Sequence, residues 1–270
     1  MSLGKGIPNL GNTCYINSIL QCLRFSKELV YMMKKHQTDK DSALVGAMVE
    51  LFYADAPIQT LYTLIRELGK TAEFKIMKQC DAHELLIYLI DHLFTELKEY
   101  KNPFEGKMIS TITCQICDHK SVTNYPYTTV SLQIPDGDAA YSVEELIEEF
   151  CGEESIDEPI ECDRCKAKTR SCKQLDLEPS SVVIVHLKRF QGNSKIFTPI
   201  EMQDEIDIVN SRYRLYAICN HSGNTFGGHY TAACMKRDGS WSLCNDKEVN
   251  PIATLPDESD RPYVLFYCKI

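Results

Sequence analysis

Apolar positions recur at helical spacing in the first hundred residues and at strand spacing after them. Ile16, Ile19, Leu20 and Leu23 stand at i, i+3, i+4 and i+7, one face of an amphipathic helix. Leu61, Leu64, Ile65 and Leu68 predict a second, with Gly69 placed to end it. Leu85, Leu86, Leu89, Ile90, Leu93, Phe94 and Leu97 predict a third over three turns, and Asn102-Pro103 breaks the pattern. From about Met108 the runs are short and β-like. Thr128–Ile134 alternates, and Val182–Leu187 is almost continuously apolar, as in a strand buried on both faces. Tyr213–Cys219, His229–Met235 and Tyr263–Cys268 predict further strands. One helix interrupts them. Ser142 and Glu145 have capping-box spacing, and Val143, Leu146, Ile147 and Phe150 form one apolar face. Helices followed by strands predict an α+β fold with an antiparallel sheet.

The chain has 270 residues, enough for one large domain or two small ones. No apolar run approaches the ~18 residues that span a membrane, so no membrane association is expected. Met1–Gly6 lacks the apolar segment of a secretory leader. Thirteen cysteines in such a chain suit an intracellular setting, in cytoplasm or nucleus, with metal-binding or catalytic thiols. The net charge of −9 is local. Nine acids and no bases lie between Tyr141 and Glu161, and outside that stretch 29 basic residues face 29 acidic ones. No broad basic surface exists, so no nucleic-acid partner is expected. The acidic stretch reads as the solvated face of the Ser142–Phe150 helix followed by an acidic loop.

Two cysteine pairs stand out. Cys114-Gln-Ile-Cys117 and Cys162-Asp-Arg-Cys165 each offer two thiolates from one tight knuckle, and together supply the four soft ligands of a tetrahedral structural zinc. The alternative is four free thiols. His119, near the first knuckle, is a bystander to a complete four-sulfur shell. Cys14 differs, because a Gly-containing loop, Asn9–Thr13, runs into the helix that it opens. A thiol there meets the positive end of the helix dipole and unpaired N–H groups, which predicts a lowered pKa. The loop N–H groups and an Asn amide could donate to an oxyanion. A nucleophile needs a base, and Gly227-Gly-His229 places an imidazole at a strand start. His186, inside an apolar strand, reads as a core residue. Asp238-Gly239 predicts a hairpin whose return strand, Trp241–Asp246, brings Asn245 or Asp246 to the His229 ring.

These pieces together resemble one family. Gly6–Leu23 is similar to the Cys box of the ubiquitin-specific proteases, and Gly227–Tyr230 with Trp241–Asp246 to their His box. Gln79–Leu86 resembles the family's Q-x-D-A-x-E-F-L helix motif. Val185–Phe190, Tyr263–Tyr267 and the two knuckles follow in order. The resemblance implies a papain-like, monomeric, single catalytic domain over residues 1–270. Its helical thumb would cover about 1–107, and interleaved fingers and palm about 108–270. It implies a deubiquitinase that hydrolyses the bond after ubiquitin's C-terminal Gly through an acyl-enzyme. Cys14 would be the nucleophile, His229 the base, Asn245 its orienter and Asn9 the oxyanion donor. Asp81, Gln79, Gly228 and Tyr230 would hold the ubiquitin tail. Many members carry Asp where Asn245 stands. An amide accepts from the imidazole Nδ1–H without supplying charge, so Asp246 is expected to share the role. The chain is short for the family, which implies trimmed loops and no accessory domain. The acidic stretch falls in the finger, where part of it is expected to steer basic surface on ubiquitin. Two other readings follow from the same residues: a ubiquitin-binding module without catalysis, and a protease for another ubiquitin-like modifier.

Overall fold

The computed structural model describes residues 5–37, 42–53, 56, 58–70, 79–98 and 100–270. Residues 1–4 of the Met1–Gly6 segment considered above lie outside them. Among the described residues five helices come first: α1 (Cys14–Arg24), α2 (Lys27–Gln37), α3 (Ala43–Tyr53), α4 (Ile58–Leu68) and α5 (Ala82–Glu96). Gly69 closes α4, its N–H donating to the Ile65 carbonyl at 2.9 Å. The strands β1 (Gly106–Cys114), β2 (Lys120–Tyr127) and β3 (Val130–Gln133) precede α6 (Val143–Cys151). Its capping box is complete. Ser142 Oγ accepts from the Glu145 N–H at 3.1 Å, and the Glu145 carboxylate accepts from the Ser142 N–H at 2.8 Å.

Then follow β4 (Glu154–Glu161), β5 (Lys168–Glu178), β6 (Val182–Lys188) and two pairs of short strands, β7 (Phe190–Gln191) with β8 (Ser194–Lys195), and β9 (Ile200–Glu201) with the later β15 (Glu258–Ser259). The chain continues through β10 (Glu205–Ile208), β11 (Ser211–Asn224), β12 (Gly227–Met235), β13 (Trp241–Asn245), β14 (Glu248–Ile252) and, after β15, β16 (Pro262–Lys269).

The large sheet runs β14-β13-β12-β11-β16-β6-β3, with β10 on β11. It is antiparallel except at one edge, where β3 lies parallel to β6, a departure from the all-antiparallel expectation. The long connection through α6, β4 and β5 permits this, because a parallel neighbour needs a crossover. The near-continuous apolar run of β6 follows from layers on both faces. Val182 and Ile184 join the core shared with the five helices, while Val183, Val185 and Leu187 join a second core beneath α6. The helices and the sheet thus enclose one core between them, and α1 packs against β12 and β11 within it.

The second sheet, β2-β1-β5-β4, stands apart with much of both faces in water. It corrects the expectation for the acidic stretch. Residues 154–161 form an edge strand on β5, not a loop. Pro159 sits where the pairing slips between Ile156 and Ile160, an edge-strand position that tolerates a missing N–H. Glu154 pairs with Lys173 at 2.8 Å, and charged residues along this edge discourage further strand pairing. Among the described residues no helix is long and apolar enough to cross a membrane.

Candidate active site

The loop before α1 is organised by one amide. Asn9 Oδ1 accepts from the Gly11 N–H at 3.0 Å and the Thr13 N–H at 3.2 Å, and Thr13 Oγ1 accepts from the Leu10 N–H. Gly11 has φ +132°, where an L side chain would be strained. This folding fixes the other end of the Asn9 amide, whose Nδ2 donates to Asp246 Oδ2 at 3.0 Å. Asn17, one turn into α1, donates to Asp246 Oδ1 at 2.8 Å. Gly6 braces the same turn. A Cβ there would fall 2.1 Å from the Lys247 backbone, and the neighbouring Ile7 N–H donates to the Asp246 carbonyl.

β12 and β13 pair from Ala232 with Cys244 to Met235 with Trp241 across the expected Asp238-Gly239 turn. Gly239 takes φ +85°, and Asp238 accepts from the Ser240 N–H and hydroxyl. That register delivers Asn245 to the ring of His229, with Asn245 Oδ1 2.7 Å from Nε2. An amide oxygen only accepts, so Nε2 carries the proton and Nδ1 is left as the acceptor. The contact is at Nε2 rather than the Nδ1 expected from sequence. Asp246 Oδ2 stands 3.9 Å from the same Nε2.

Cys14 is 4% exposed. Burial, above all, pushes its thiol up from the ordinary value. The Tyr230 and Tyr15 N–H groups oppose the shift and the Asp246 charge adds to it. The sequence argument predicted a lowered value. Burial outweighs the helix end here, so the resting group is a thiol. Among the described residues no hydrogen bond joins Cys14 to His229. The sulfur instead lies by the backbone of Tyr230, next to His229 on β12.

The remaining predicted residues gather on the same side. Asp81 caps α5, its Oδ1 accepting from the His83 N–H at 2.7 Å and the Glu84 N–H at 3.0 Å, while its Oδ2 accepts from the Tyr263 hydroxyl. Gln79 Nε2 donates to the Gly228 carbonyl at 2.8 Å. Tyr230 is buried, with its ring 4.7 Å from His221 and 6.0 Å from Tyr263. His186 is a satisfied interior group as expected, 3.0 Å from Ser131 Oγ and stacked on His83 at 3.6 Å. Sequence reasoning assigned no role to Asn17. Its signal was an Asn inside an apolar helix, where that residue type is a poor former and needs a partner.

The two knuckles meet at the tip of the small sheet, and they are built alike. In each, the residue after the second cysteine has positive φ, Asp118 at +54° and Lys166 at +58°. In each, its N–H donates to the carbonyl of the first cysteine, at 3.0 and 2.8 Å. The first cysteine's own N–H donates to the carbonyl five residues on, of His119 and Ala167. All four sulfurs lie within 4.8 Å of one another, with Cys114 and Cys165 at 3.9 Å and Cys117 and Cys162 at 3.7 Å. Sulfurs around a tetrahedral ion bound at ~2.3 Å stand about 3.8 Å apart, so the donor set fits a metal ion. Backbone N–H groups, that of Cys165 first, hold the Cys162 thiol down at about 6, a ready thiolate.

A family model described as ubiquitin carboxyl-terminal hydrolase matches residues 5–267. The chain is 30% identical to human ubiquitin carboxyl-terminal hydrolase 2, covering 97% of this chain and 54% of that protein. It is 26% identical to rat ubiquitin carboxyl-terminal hydrolase 21, covering 97% and 61%. The chain therefore spans between half and two thirds of the length of these relatives. Among solved structures it resembles the SAGA DUB module of Ubp8, Sgf11, Sus1 and Sgf73 bound to monoubiquitin. There the TM-score is 0.86 at 25% identity, over 98% of this chain and 69% of that one. With nearly its whole length matched, this chain belongs to the ubiquitin carboxyl-terminal hydrolase family.

Proposed function

We propose that this chain is an intracellular, monomeric deubiquitinase. It forms one catalytic unit that cleaves the isopeptide or peptide bond after ubiquitin's C-terminal Gly. The carrying observation is that Cys14, at the head of α1, lies by the Tyr230 N–H, next in the chain to His229, whose Nε2 is held by Asn245. The bound ubiquitin in the related Ubp8 structure supports the substrate class.

His229 Nδ1 takes the Cys14 proton, and the thiolate attacks the carbonyl carbon after Gly. The carbonyl electron pair moves to oxygen. There the second Nδ2 proton of Asn9, the one not given to Asp246, donates to the oxyanion. The imidazolium protonates the departing amine, leaving a thioester on Cys14. Water, deprotonated by His229, then resolves it to free ubiquitin. Asn245 keeps the ring upright and in one tautomer. Asp246 Oδ2, 3.9 Å from Nε2, places a carboxylate beside the ring. Burial makes thiolate formation costly in the resting site, so attack depends on substrate bringing thiol and imidazole into contact. The carboxylate of Asp81, beside Tyr263, faces a tail that carries arginines.

The experiment is hydrolysis of ubiquitin-AMC together with adduct formation by ubiquitin vinyl sulfone on Cys14. Folded wild type that shows neither is not a deubiquitinase. Reaction only with probes built on another modifier would reassign the substrate.

The four-cysteine cluster is proposed to hold a structural zinc that ties β1–β2 to β4–β5. Bound there, zinc supplies a cross-link rather than reaction chemistry. Cys162→Ser should lower zinc from about one per chain to near zero and loosen the small sheet before the large one. Metal analysis with hydrogen exchange checks both, and full retention of zinc would refute the ligand set.

A further inference from the structure

Two glycines immediately before a catalytic imidazole present a mechanical difficulty. Gly227 and Gly228 restrict the backbone least of all residues, yet His229 must be held to about half an ångström for proton transfer. Around Gly227 a Cβ would meet nothing within 4 Å. Gly228 is different, since a Cβ there would lie 2.2 Å from Nε2 and 2.7 Å from Cε1 of His221. The His221 imidazole, with the Ser222 carbonyl at 2.6 Å, occupies the space a side chain would need. The Gly228 carbonyl accepts from Gln79 Nε2 at 2.8 Å.

The ring of His221 is itself fixed. It is 2% exposed, with Phe190 5.1 Å away at 73° and Tyr230 4.7 Å away at 56°. Its backbone N–H donates to the Arg261 carbonyl at 2.9 Å, and its carbonyl accepts from Lys195 Nζ at 2.8 Å. Among the described residues Nδ1 is buried without a hydrogen-bond partner. A side chain kept for its polar chemistry would satisfy that nitrogen, so the ring's value here lies in its shape. Burial, with the positive charge of Lys195 and then of His229, and against the carboxylate of Asp81, pushes it down to about 4. It is neutral at working pH and adds no positive charge beside the His229 imidazolium.

We infer that His221 and Gln79 are positioning residues that grip Gly228, one by filling its Cβ space and the other through its carbonyl, and so set the place of the His229 ring. The role of this grip in turnover rests on the hydrolase reading above, whereas its effect on the His229 ring does not.

The test uses His221→Ala, His221→Phe and Gln79→Leu in the full chain. Ubiquitin-AMC rates are normalised to sites titrated with ubiquitin vinyl sulfone, and the His229 Cε1–H signal is followed by NMR in histidine-labelled protein. His221→Ala should lower kcat about 10- to 100-fold, as small misplacements of a catalytic group do, with KM changed less than about twofold. It should also shift the pH profile of kcat/KM and move or broaden the His229 signal. His221→Phe, which keeps a neutral ring, should stay within about threefold of wild type. Gln79→Leu should act on kcat rather than KM, which separates positioning from tail binding. An unchanged kcat and unmoved His229 signal in His221→Ala would overturn the inference. So would a Phe variant as impaired as the Ala variant. Should His221→Ala fail to fold, His221→Phe and Gln79→Leu decide alone, and Gln79→Leu with unmoved kcat and His229 signal refutes the grip. The NMR readout stands even if wild type fails to cleave ubiquitin.

Discussion

Cys14→Ala is expected to abolish ubiquitin-AMC turnover, by roughly 10⁴–10⁶-fold, while leaving ubiquitin affinity within about threefold. No other thiol is placed to substitute. Cys22, Cys219 and Cys234 are fully buried, and burial pushes their thiols up from the ordinary value. Cys80, beside Asp81 at the entry to α5, is engaged with the Tyr15 side chain. The fold should barely register the change. Ala is a strong helix former at the head of α1, and losing one buried sulfur costs about 1 kcal/mol. Stopped-flow ubiquitin-AMC assays, titration of labelled ubiquitin and a thermal melt measure the three quantities. Turnover within a hundredfold of wild type would take the nucleophile away from Cys14. Lost binding with an intact melt would show instead that the thiol contributes to substrate affinity.

Sequence reading located α1, α4, α5 and α6 and, in the large sheet, β3, β6, β11, β12, β13 and β16, because each turns at least one face to a core, whereas β10 and β14 went unmarked. It named neither α2 nor α3 individually, since α3 (Ala43–Tyr53) is apolar nearly all round and shows little one-sided pattern. The small sheet was the least legible part. Lys120–Tyr127 is exposed at seven of its eight positions, so no alternation marks it, and Glu154–Glu161 reads as a charged loop. The order of β2 and β4 comes largely from pairing and from the knuckles, while Met108, Leu175 and Leu177 tie β1 and β5 to the second core. Of the site, the motifs carried the chain positions, but tautomer and charge state were beyond them. Which nitrogen of His229 meets Asn245 depends on where β13 ends relative to β12. Whether the helix end or burial governs Cys14 depends on how deeply α1 is sunk. Asn17 and His221 were silent because their roles exist only through Asp246 and Gly228, more than two hundred residues and a few residues away respectively.

Asp246→Ala should lower kcat/KM by about 10²–10³, comparable to the loss of an oxyanion donor, although Asp246 donates nothing to substrate. Its two oxygens accept from Asn9 Nδ2 and Asn17 Nδ2, and one of them stands 3.9 Å from His229 Nε2. Deleting it frees the Asn9 amide to turn and removes the carboxylate that stands beside the His229 ring. Asp246→Asn should fail similarly, since its amide N–H₂ would face another donor at Asn9 or Asn17. The sign of the pH effect is fixed. A carboxylate beside the site raises the proton affinity of the Cys14 thiol. Without it the acid limb of kcat/KM moves to lower pH. The decisive measurement is the cycle with Asn9→Ala. If Asp246 works mainly by holding Asn9, Asn9→Ala alone costs a similar factor and the double variant little more than either single one. Factors that multiply would separate the two. Asp246 would then act through the charge on His229, with Asn9 held by the Gly11 and Thr13 N–H groups alone.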